Sequence, residues 1–80
     1  MAKITRQEWN KLATEKTSGI VGGEVEVVLM KDTMNIYSES KDTAYRAVKL
    51  YQDAGSSIVK ETHYDADEDM PEAWSIEMTI

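Results

Sequence analysis

The chain contains no cysteine, no phenylalanine and only one proline. Without cysteine it cannot form a disulfide, and it offers no thiolate to a metal ion or a substrate. Secreted domains of this size usually rely on disulfides, so the composition favours a reducing cytoplasm. The one histidine, His63, cannot form a zinc site alone, because such a site needs several nitrogen or sulfur ligands. The residue types therefore predict no catalytic centre, no metal site and no bound cofactor.

Long apolar runs are also missing, and the charge is unevenly distributed. The longest apolar run, Val27 to Met30, is far below the ~20 residues that span a bilayer, and residues 1–6 contain no apolar signal core. The net charge is −6, of which residues 61–80 carry seven acids with no lysine or arginine. Residues 1–18 are net positive. This polarity disfavours direct binding to nucleic acid or to an anionic membrane, and it favours a basic partner.

The length of 80 residues is enough for one domain, spanning 1–80. A domain of this size buries only about 60–65% of the surface that its unfolded form exposes, so its core is small. Ligand pockets typically occupy several hundred Å³ and need walls on several sides. Size alone therefore favours a binding module over an enzyme.

A capping box marks the start of the first helix, because Thr5 is followed three residues later by Glu8. Ile4 and Trp9 have the spacing of a hydrophobic staple across this cap. Trp9 also opens a narrow apolar stripe at helical spacing. Residues 17–19, Thr-Ser-Gly, break the stripe, and the helix is predicted to end just before them.

From Glu24 the apolar residues recur at every second position, which is typical of a β-strand. Residues 31–33 predict a tight turn, and residues 34–38 resume the alternation. The strands 24–30 and 34–38 are therefore expected to pair as a hairpin.

Ser38 or Ser40 is predicted to cap a second helix, with Asp42 in its first turn. Its apolar side chains recur at helical spacing: Ala44, Ala47, Val48 and Tyr51. Gly55 is predicted to end the helix in a left-handed conformation, which glycine adopts without steric cost.

Residues 58–64 predict a third strand, but two sets of side chains compete for its apolar face. One set is Ile58, Lys60, Thr62 and Tyr64, and the other is Val59, Glu61 and His63. The last strand alternates cleanly, with Trp74, Ile76, Met78 and Ile80 on one side. The element order predicts an α+β fold, α-β-β-α-β-β, with a four-stranded, mostly antiparallel sheet and both helices on one face.

Residues 65–69, Asp-Ala-Asp-Glu-Asp, begin like a calcium-binding loop. Such a loop needs glycine at its sixth position and a bidentate glutamate at its twelfth. Those positions hold Met70 and Ile76, and the flanking segments are predicted strands. An acidic turn between two strands, or a recognition element for lysine and arginine, fits this segment better.

Acidic residues concentrate on the predicted outer face of the sheet and in the loop before the last strand. With both helices on one face, the other face is expected to be open and acidic. Because exposed ion pairs contribute only about 0.2–1 kcal/mol each, apolar anchors beside them would be needed for affinity. The predicted partner-binding residues are the acids Asp65, Asp67, Glu68, Asp69, Glu72, Glu24, Glu26, Glu61 and Glu77 and the anchors Tyr64, Met70 and Tyr37. The alternative is that this face is only a solvated polar surface.

Residues 35–44 read Asn-Ile-Tyr-Ser-Glu-Ser-Lys-Asp-Thr-Ala, and the pattern continues into Ala47, Tyr51 and Gly55. This strand–cap–helix unit resembles one found in small phage-encoded inhibitor proteins, among them anti-CRISPR proteins and inhibitors of host RNA polymerase. Those inhibitors are short, often acidic, and bind a host nucleic-acid enzyme without chemistry. The resemblance concerns size and texture, so it implies a class of function and no individual site residue.

The charge distribution and the resemblance together predict a small, non-catalytic inhibitor that binds another protein in the cytoplasm. Its acidic surface would block a basic groove of a nucleic-acid-handling host or defence protein. The alternative is a structural or oligomer-forming domain, in which strand edges pair two copies as a homodimer across a two-fold axis. Neither nucleic acid nor a membrane is expected as a direct partner.

Overall fold

A computed structural model describes residues 5–80, which form two helices and four strands. The helices are α1 (Arg6–Val21) and α2 (Lys41–Asp53), and the strands are β1 (Glu26–Leu29), β2 (Thr33–Ser38), β3 (Ile58–Tyr64) and β4 (Ala73–Thr79). The predicted order α-β-β-α-β-β and the α+β class are confirmed.

The sheet is open and antiparallel throughout, with the strand order β1-β2-β4-β3. Two hairpins of consecutive strands meet where β2 pairs with β4. Their apolar rows stand side by side, with Met34 beside Met78 and Ile36 beside Ile76. Both helices pack on this side of the sheet, here called the helix face, and the opposite side is called the open face.

The core lies between the sheet and the helices. Its largest fully buried side chains are Ile36, Ile76, Met78 and Val27. From α2 it takes Ala44 and Ala47, whose small side chains let this helix lie close to the two central strands. The core is thus thickest over β1, β2 and β4.

The start of α1 follows the predicted capping box. The Thr5 hydroxyl oxygen accepts a hydrogen bond from the Glu8 backbone N–H at 3.1 Å. The hydroxyl also lies 3.2 Å from the Glu8 carboxylate, to which it donates. Ile4, one half of the predicted hydrophobic staple, lies outside the described residues.

The predicted end of α1 is wrong, because the helix continues through the Thr-Ser-Gly segment to Val21. Tertiary hydrogen bonds hold this segment in place. Thr17 Oγ1 lies 2.7 Å from the Tyr51 hydroxyl, and Ser18 bonds to the backbone next to β1. Gly22 then ends the helix with a left-handed φ of 72°. Tertiary contacts therefore outweigh the low helix propensity of these residues.

α1 also covers the free edge of β1. Three polar side chains, one helical turn apart, contact that edge: Asn10, Thr14 and Ser18. The Thr14 hydroxyl accepts from the N–H of Val27 at 2.9 Å and donates to its carbonyl at 3.2 Å. Ser18 makes the same pair of bonds with Val25, at 3.2 and 3.0 Å. The side-chain oxygen of Asn10 accepts from the N–H of Leu29 at 2.7 Å.

The ends of α2 settle the alternatives left by the sequence. Ser40 caps the helix, and its hydroxyl accepts from the N–H of Thr43 at 3.3 Å. Ser38 is instead buried in β2, where its hydroxyl donates to the carbonyl of Glu24 at 2.9 Å. Gly55 has a φ of 107°, which confirms the predicted left-handed end.

Gly23 brings the α1–β1 connection against the first turn of α2. A Cβ at this position would lie 2.7 Å from Oγ1 of Thr43 and 2.9 Å from its Cγ2. Thr43 is buried and branched at Cβ, so its side chain has little freedom to turn away. The connection takes this path because residue 23 has no side chain.

Neither predicted face of β3 is correct as a whole, because a bulge between Ile58 and Lys60 interrupts the alternation. Ile58, Glu61 and His63 stand beside the apolar row of β4 and therefore lie on the helix face. The open-face residues of the strand are Lys60, Thr62 and Tyr64. An extra residue reverses the alternation beyond it, which is why a strict period of two fails for this strand.

Candidate protein-binding surface

Residues 65–72 connect β3 to β4 and are here called the acidic loop. Asp67 shapes it, because one of its carboxylate oxygens accepts the N–H groups of Asp69 and Met70, both at 2.8 Å. The N–H of Asp67 also donates to the carbonyl of Met70 at 2.9 Å. An aspartate that bonds the backbone ahead of it favours a tight turn. Asp67 is thus engaged within the loop, whereas Glu68 and Asp69 project from it as exposed residues.

His63 ties both ends of the acidic loop together. Its Nε2 lies 2.8 Å from Oε2 of Glu72, and its Nδ1 lies 3.7 Å from Oδ1 of Asp65. Its ring stacks on the indole of Trp74, with ring centroids 5.0 Å apart and planes 20° apart. The histidine that looked isolated in the sequence is therefore the residue that positions the base of the loop.

The same three side chains are the candidates for holding a metal ion within residues 5–80. Ligand atoms of His63, Asp65 and Glu72 lie within 4.8 Å of one another, and all three residues are exposed. The two carboxylates, however, approach opposite nitrogens of the ring. Because a metal ion binds one imidazole nitrogen, the carboxylates do not converge on a common ion in this arrangement. Chemically, the group is a hydrogen bond between His63 and Glu72, with Asp65 at ion-pair distance from the other ring nitrogen.

The acidic loop covers part of the open face and forms a groove with it, here called the loop groove. Its volume is about 520 Å³. The three predicted apolar anchors, Tyr37, Tyr64 and Met70, all line it, together with Asp65 and Asp67. Tyr64 is 51% exposed and Met70 is 56% exposed, so both can be reached by a partner. The fold therefore brings anchors and carboxylates to one place.

A second groove of about 870 Å³ runs beside the C-terminal half of α1, the start of β1 and the start of α2. Within residues 5–80 its lining contains four acids and neither lysine nor arginine: Glu15, Glu24, Glu26 and Glu39. We call it the glutamate groove. Tyr37 lines both grooves, so carboxylates lie on either side of one aromatic side chain.

Two of the predicted acids lie away from this surface. Glu61 was expected on the open face, but the bulge in β3 places it on the helix face, where it accepts a hydrogen bond from the Tyr45 hydroxyl at 2.5 Å. Glu77 does lie on the open face. It accepts a hydrogen bond from the Thr33 hydroxyl at 3.1 Å and stands opposite Lys60 in the pairing of β3 with β4.

The Tyr45–Glu61 contact also changes the chemistry of the phenol. The hydrogen bond to Glu61 raises the pKa of Tyr45 above its ordinary value of about 10, and burial and the negative charge of Glu61 raise it further. Each of these effects stabilises the protonated phenol, which donates the hydrogen bond. The contact joins β3 to the helix layer.

Sequence reasoning missed Glu15 and Glu39. Glu15 lies in the middle of α1, and Glu39 precedes the cap of α2, so neither follows the strand alternation that marked the other acids. They reach the glutamate groove because α1 runs along β1 and α2 begins next to the end of β2. Only the tertiary arrangement of these elements reveals them.

No protein-family model, curated protein or solved structure matches this chain. Neither of the helices in residues 5–80 is both long enough and apolar enough to cross a membrane. The chemistry of the acidic loop and the two grooves indicates which groups they can bind. Its carboxylates can bind ammonium and guanidinium groups, and its tyrosines and methionine can contact the aliphatic stems of lysine and arginine.

Proposed function

We propose that the chain is a non-catalytic inhibitor that binds the basic, nucleic-acid-binding groove of another protein, a host or defence protein handling DNA or RNA. The loop groove supports this most directly, because Tyr37, Tyr64 and Met70 line it beside carboxylates of the acidic loop. Exposed ion pairs contribute only about 0.2–1 kcal/mol each, so charge alone would bind weakly. Half-exposed apolar side chains next to the carboxylates supply the anchors that a stable interface requires.

Electrostatics favour the same partner. The last twenty residues carry seven acids and no lysine or arginine, and the glutamate groove adds acids on the other side of Tyr37. A groove that binds phosphates would be steered towards such a surface, with faster association at low salt. Once bound, the protein would occupy the lysines and arginines that nucleic acid needs, so inhibition requires no chemistry.

The test is an affinity capture with matched charge variants. Glu68→Lys/Asp69→Lys reverses two exposed charges of the acidic loop and leaves the Asp67 turn in place. Asp32→Lys/Asp53→Lys changes the net charge by the same amount at the β1–β2 turn and at the end of α2, and serves as control. Wild type and both variants, shown to be folded by circular dichroism, are used to capture proteins from bacterial lysate at low salt.

We expect wild type and the control to capture the same nucleic-acid-binding protein and to displace DNA or RNA from it. The loop variant should bind that protein about tenfold more weakly, because each reversal replaces an attraction with a repulsion. Wild-type binding should also weaken as salt rises. Equal binding by the loop variant, or capture only of proteins without a nucleic-acid site, would refute the proposal.

A further inference from the structure

The outer edge of β3 is the unpaired edge of the sheet. In residues 5–80 its one neighbour in the sheet is β4, and every residue of the strand except Thr62 is exposed. Val59, in the bulge, is 53% exposed. An exposed strand edge carries unpaired N–H and C=O groups and is a template for pairing with another strand.

Symmetry limits how a second copy could pair with this edge. Two antiparallel copies of β3 in one continuous sheet are related by a two-fold axis normal to the sheet, which keeps the helix face and the open face on their own sides. Residues opposite each other must then lie on the same face. The axis therefore lies midway between one residue of β3 and the same residue of the second copy, and the neighbouring residues pair symmetrically about it. That residue is described below as lying on the axis.

Among the registers centred on Lys60, Glu61, Thr62 and His63, only the one centred on Thr62 places no two like charges opposite each other. With Thr62 on the axis, Glu61 stands opposite His63 of the second copy on the helix face. On the open face, Lys60 stands opposite Tyr64, whose ring can accept a cation. These pairs occur twice, once on each side of the axis.

The neighbouring registers place like charges together. An axis through Glu61 sets that carboxylate opposite its own copy, and an axis through Lys60 does the same for the ammonium group. An axis through His63 sets Glu61 opposite Asp65 of the second copy. Like charges directly opposite each other destabilise a strand pair, so each of these registers is disfavoured.

We propose that β3 pairs antiparallel with β3 of a second copy about Thr62, forming an eight-stranded sheet with a helix layer on one face. This interface runs along the outer edge of β3 and shares only His63 and Tyr64 with the loop groove. Self-pairing of the chain goes beyond the proposed inhibitor function. It places the acidic loops of both copies on the same open face. The helices pack mainly over β1, β2 and β4, and Tyr45 of α2 reaches β3 only through its hydroxyl, which donates to Glu61.

Cysteine cross-linking tests the register, since the chain has no cysteine of its own. In this register the two Cα atoms of residue 62 would lie about 4.5–5.5 Å apart, within the range of a disulfide. The Cα atoms of residue 60 would lie about 13 Å apart or more, which is too far. Under mild oxidation Thr62→Cys should form a covalent dimer and Lys60→Cys should not. Equal cross-linking of both, or none by Thr62→Cys, would overturn the register.

Sedimentation equilibrium tests the pairing without engineered cysteines. At about 0.15 M salt, where repulsion between two acidic copies is screened beyond roughly 8 Å, wild type should dimerise reversibly. Glu61→Lys should raise the dimer dissociation constant about tenfold, because symmetry repeats the pair. Tyr45→Phe is the matched control, as it removes the same hydrogen bond within one copy and leaves Glu61 in place. A monomer at all concentrations, or equal effects of both variants, would rule out this interface.

Discussion

The two outer strands of the sheet treat their free edges differently. Along β1, side chains of α1 take up the N–H and C=O groups that a further strand would bind. Along β3, residues 5–80 provide no such cover, and the strand carries a bulge and charged side chains beside the exposed Ile58, Val59 and Tyr64. Bulges and lysine are devices that discourage edge-to-edge association. The hydrogen-bonding groups at the edge of β1 are therefore occupied, whereas those at the edge of β3 stay free within residues 5–80 and pairing there is only discouraged.

The free edge of β1 can be covered by α1 because the spacing of every fourth helical residue is close to the spacing of every second strand residue. Four residues of an α-helix advance by about 6.0 Å, and two residues of a strand advance by about 6.6 Å. Successive turns at Asn10, Thr14 and Ser18 can therefore reach alternate residues of an antiparallel strand, which here are Leu29, Val27 and Val25. A helix can thus complete a sheet edge when it carries short polar side chains at every fourth position.

The largest change in stability is expected when a hydrogen bond between α1 and the free edge of β1 is removed. Thr14→Val keeps the branched shape but removes the hydroxyl, so both backbone groups of Val27 lose a partner. We expect the free energy of unfolding to fall by about 1–3 kcal/mol. Urea denaturation measures this, with Thr14→Ser as the control that retains the hydroxyl. If Thr14→Val were as stable as wild type, α1 would not be what closes this edge.

Hydrogen exchange compares the two edges in one experiment. The amides of Val25, Val27 and Leu29 should exchange about tenfold more slowly than the outward-pointing amides of β3, if the hydrogen bonds to α1 add about 1.4 kcal/mol against local opening. Nuclear magnetic resonance at low protein concentration gives these rates residue by residue. Protection of β3 that increases with concentration would in addition report pairing of two copies.

Deleting Val59 should remove the bulge from β3 and leave its outer edge as a regular strand edge. Ile58 and Lys60 would then be consecutive and already lie on opposite faces, so no other side chain of β3 has to change face. We expect stability to change by less than about 1 kcal/mol and association to increase, because the bulge no longer bends the edge. Light scattering over a concentration series measures association, and Val59→Ala, which keeps the bulge, is the control. Unchanged association would show that the bulge does not protect the edge.

The smallest effect concerns the hydrogen bond between Tyr45 and Glu61. Because the pKa of Tyr45 is raised in the folded protein, its contribution to stability is complete below the unfolded value near 10 and is lost as pH rises through the raised value. Glu61→Gln should lower the pKa of Tyr45 towards 10. Ultraviolet difference titration against Tyr45→Phe isolates this phenol from the other tyrosines. An unchanged midpoint in Glu61→Gln would assign the shift to burial instead.

Elements with local signals could be predicted from the sequence. The cap at Thr5 and the left-handed end at Gly55 depend on a few neighbouring residues, and the structure has both. The end of α1 could not, because Thr17 and Ser18 are held in the helix by residues far away in the chain. The faces of β3 depend on a bulge, and periodicity assumes that there is none.

The candidate surface divides in the same way. Met70 and the carboxylates of the acidic loop are contiguous in the sequence, so their proximity could be expected. That Tyr37, on a different hairpin, lines the same groove followed from the open face that the topology predicted. Glu61 was misplaced because of the bulge, and Glu39 was missed because its neighbours in the groove come from other elements.

The close approach of Gly23 to Thr43 also has an evolutionary consequence. A side chain at residue 23 would collide with Oγ1 and Cγ2 of Thr43, whereas Gly19 has open space around it. Natural variants should therefore tolerate alanine at residue 19 freely, but accept alanine at residue 23 only when residue 43 has lost Oγ1 and Cγ2, as in alanine. Such a correlated pair of changes, some twenty positions apart, would indicate that the same close contact is present in those variants.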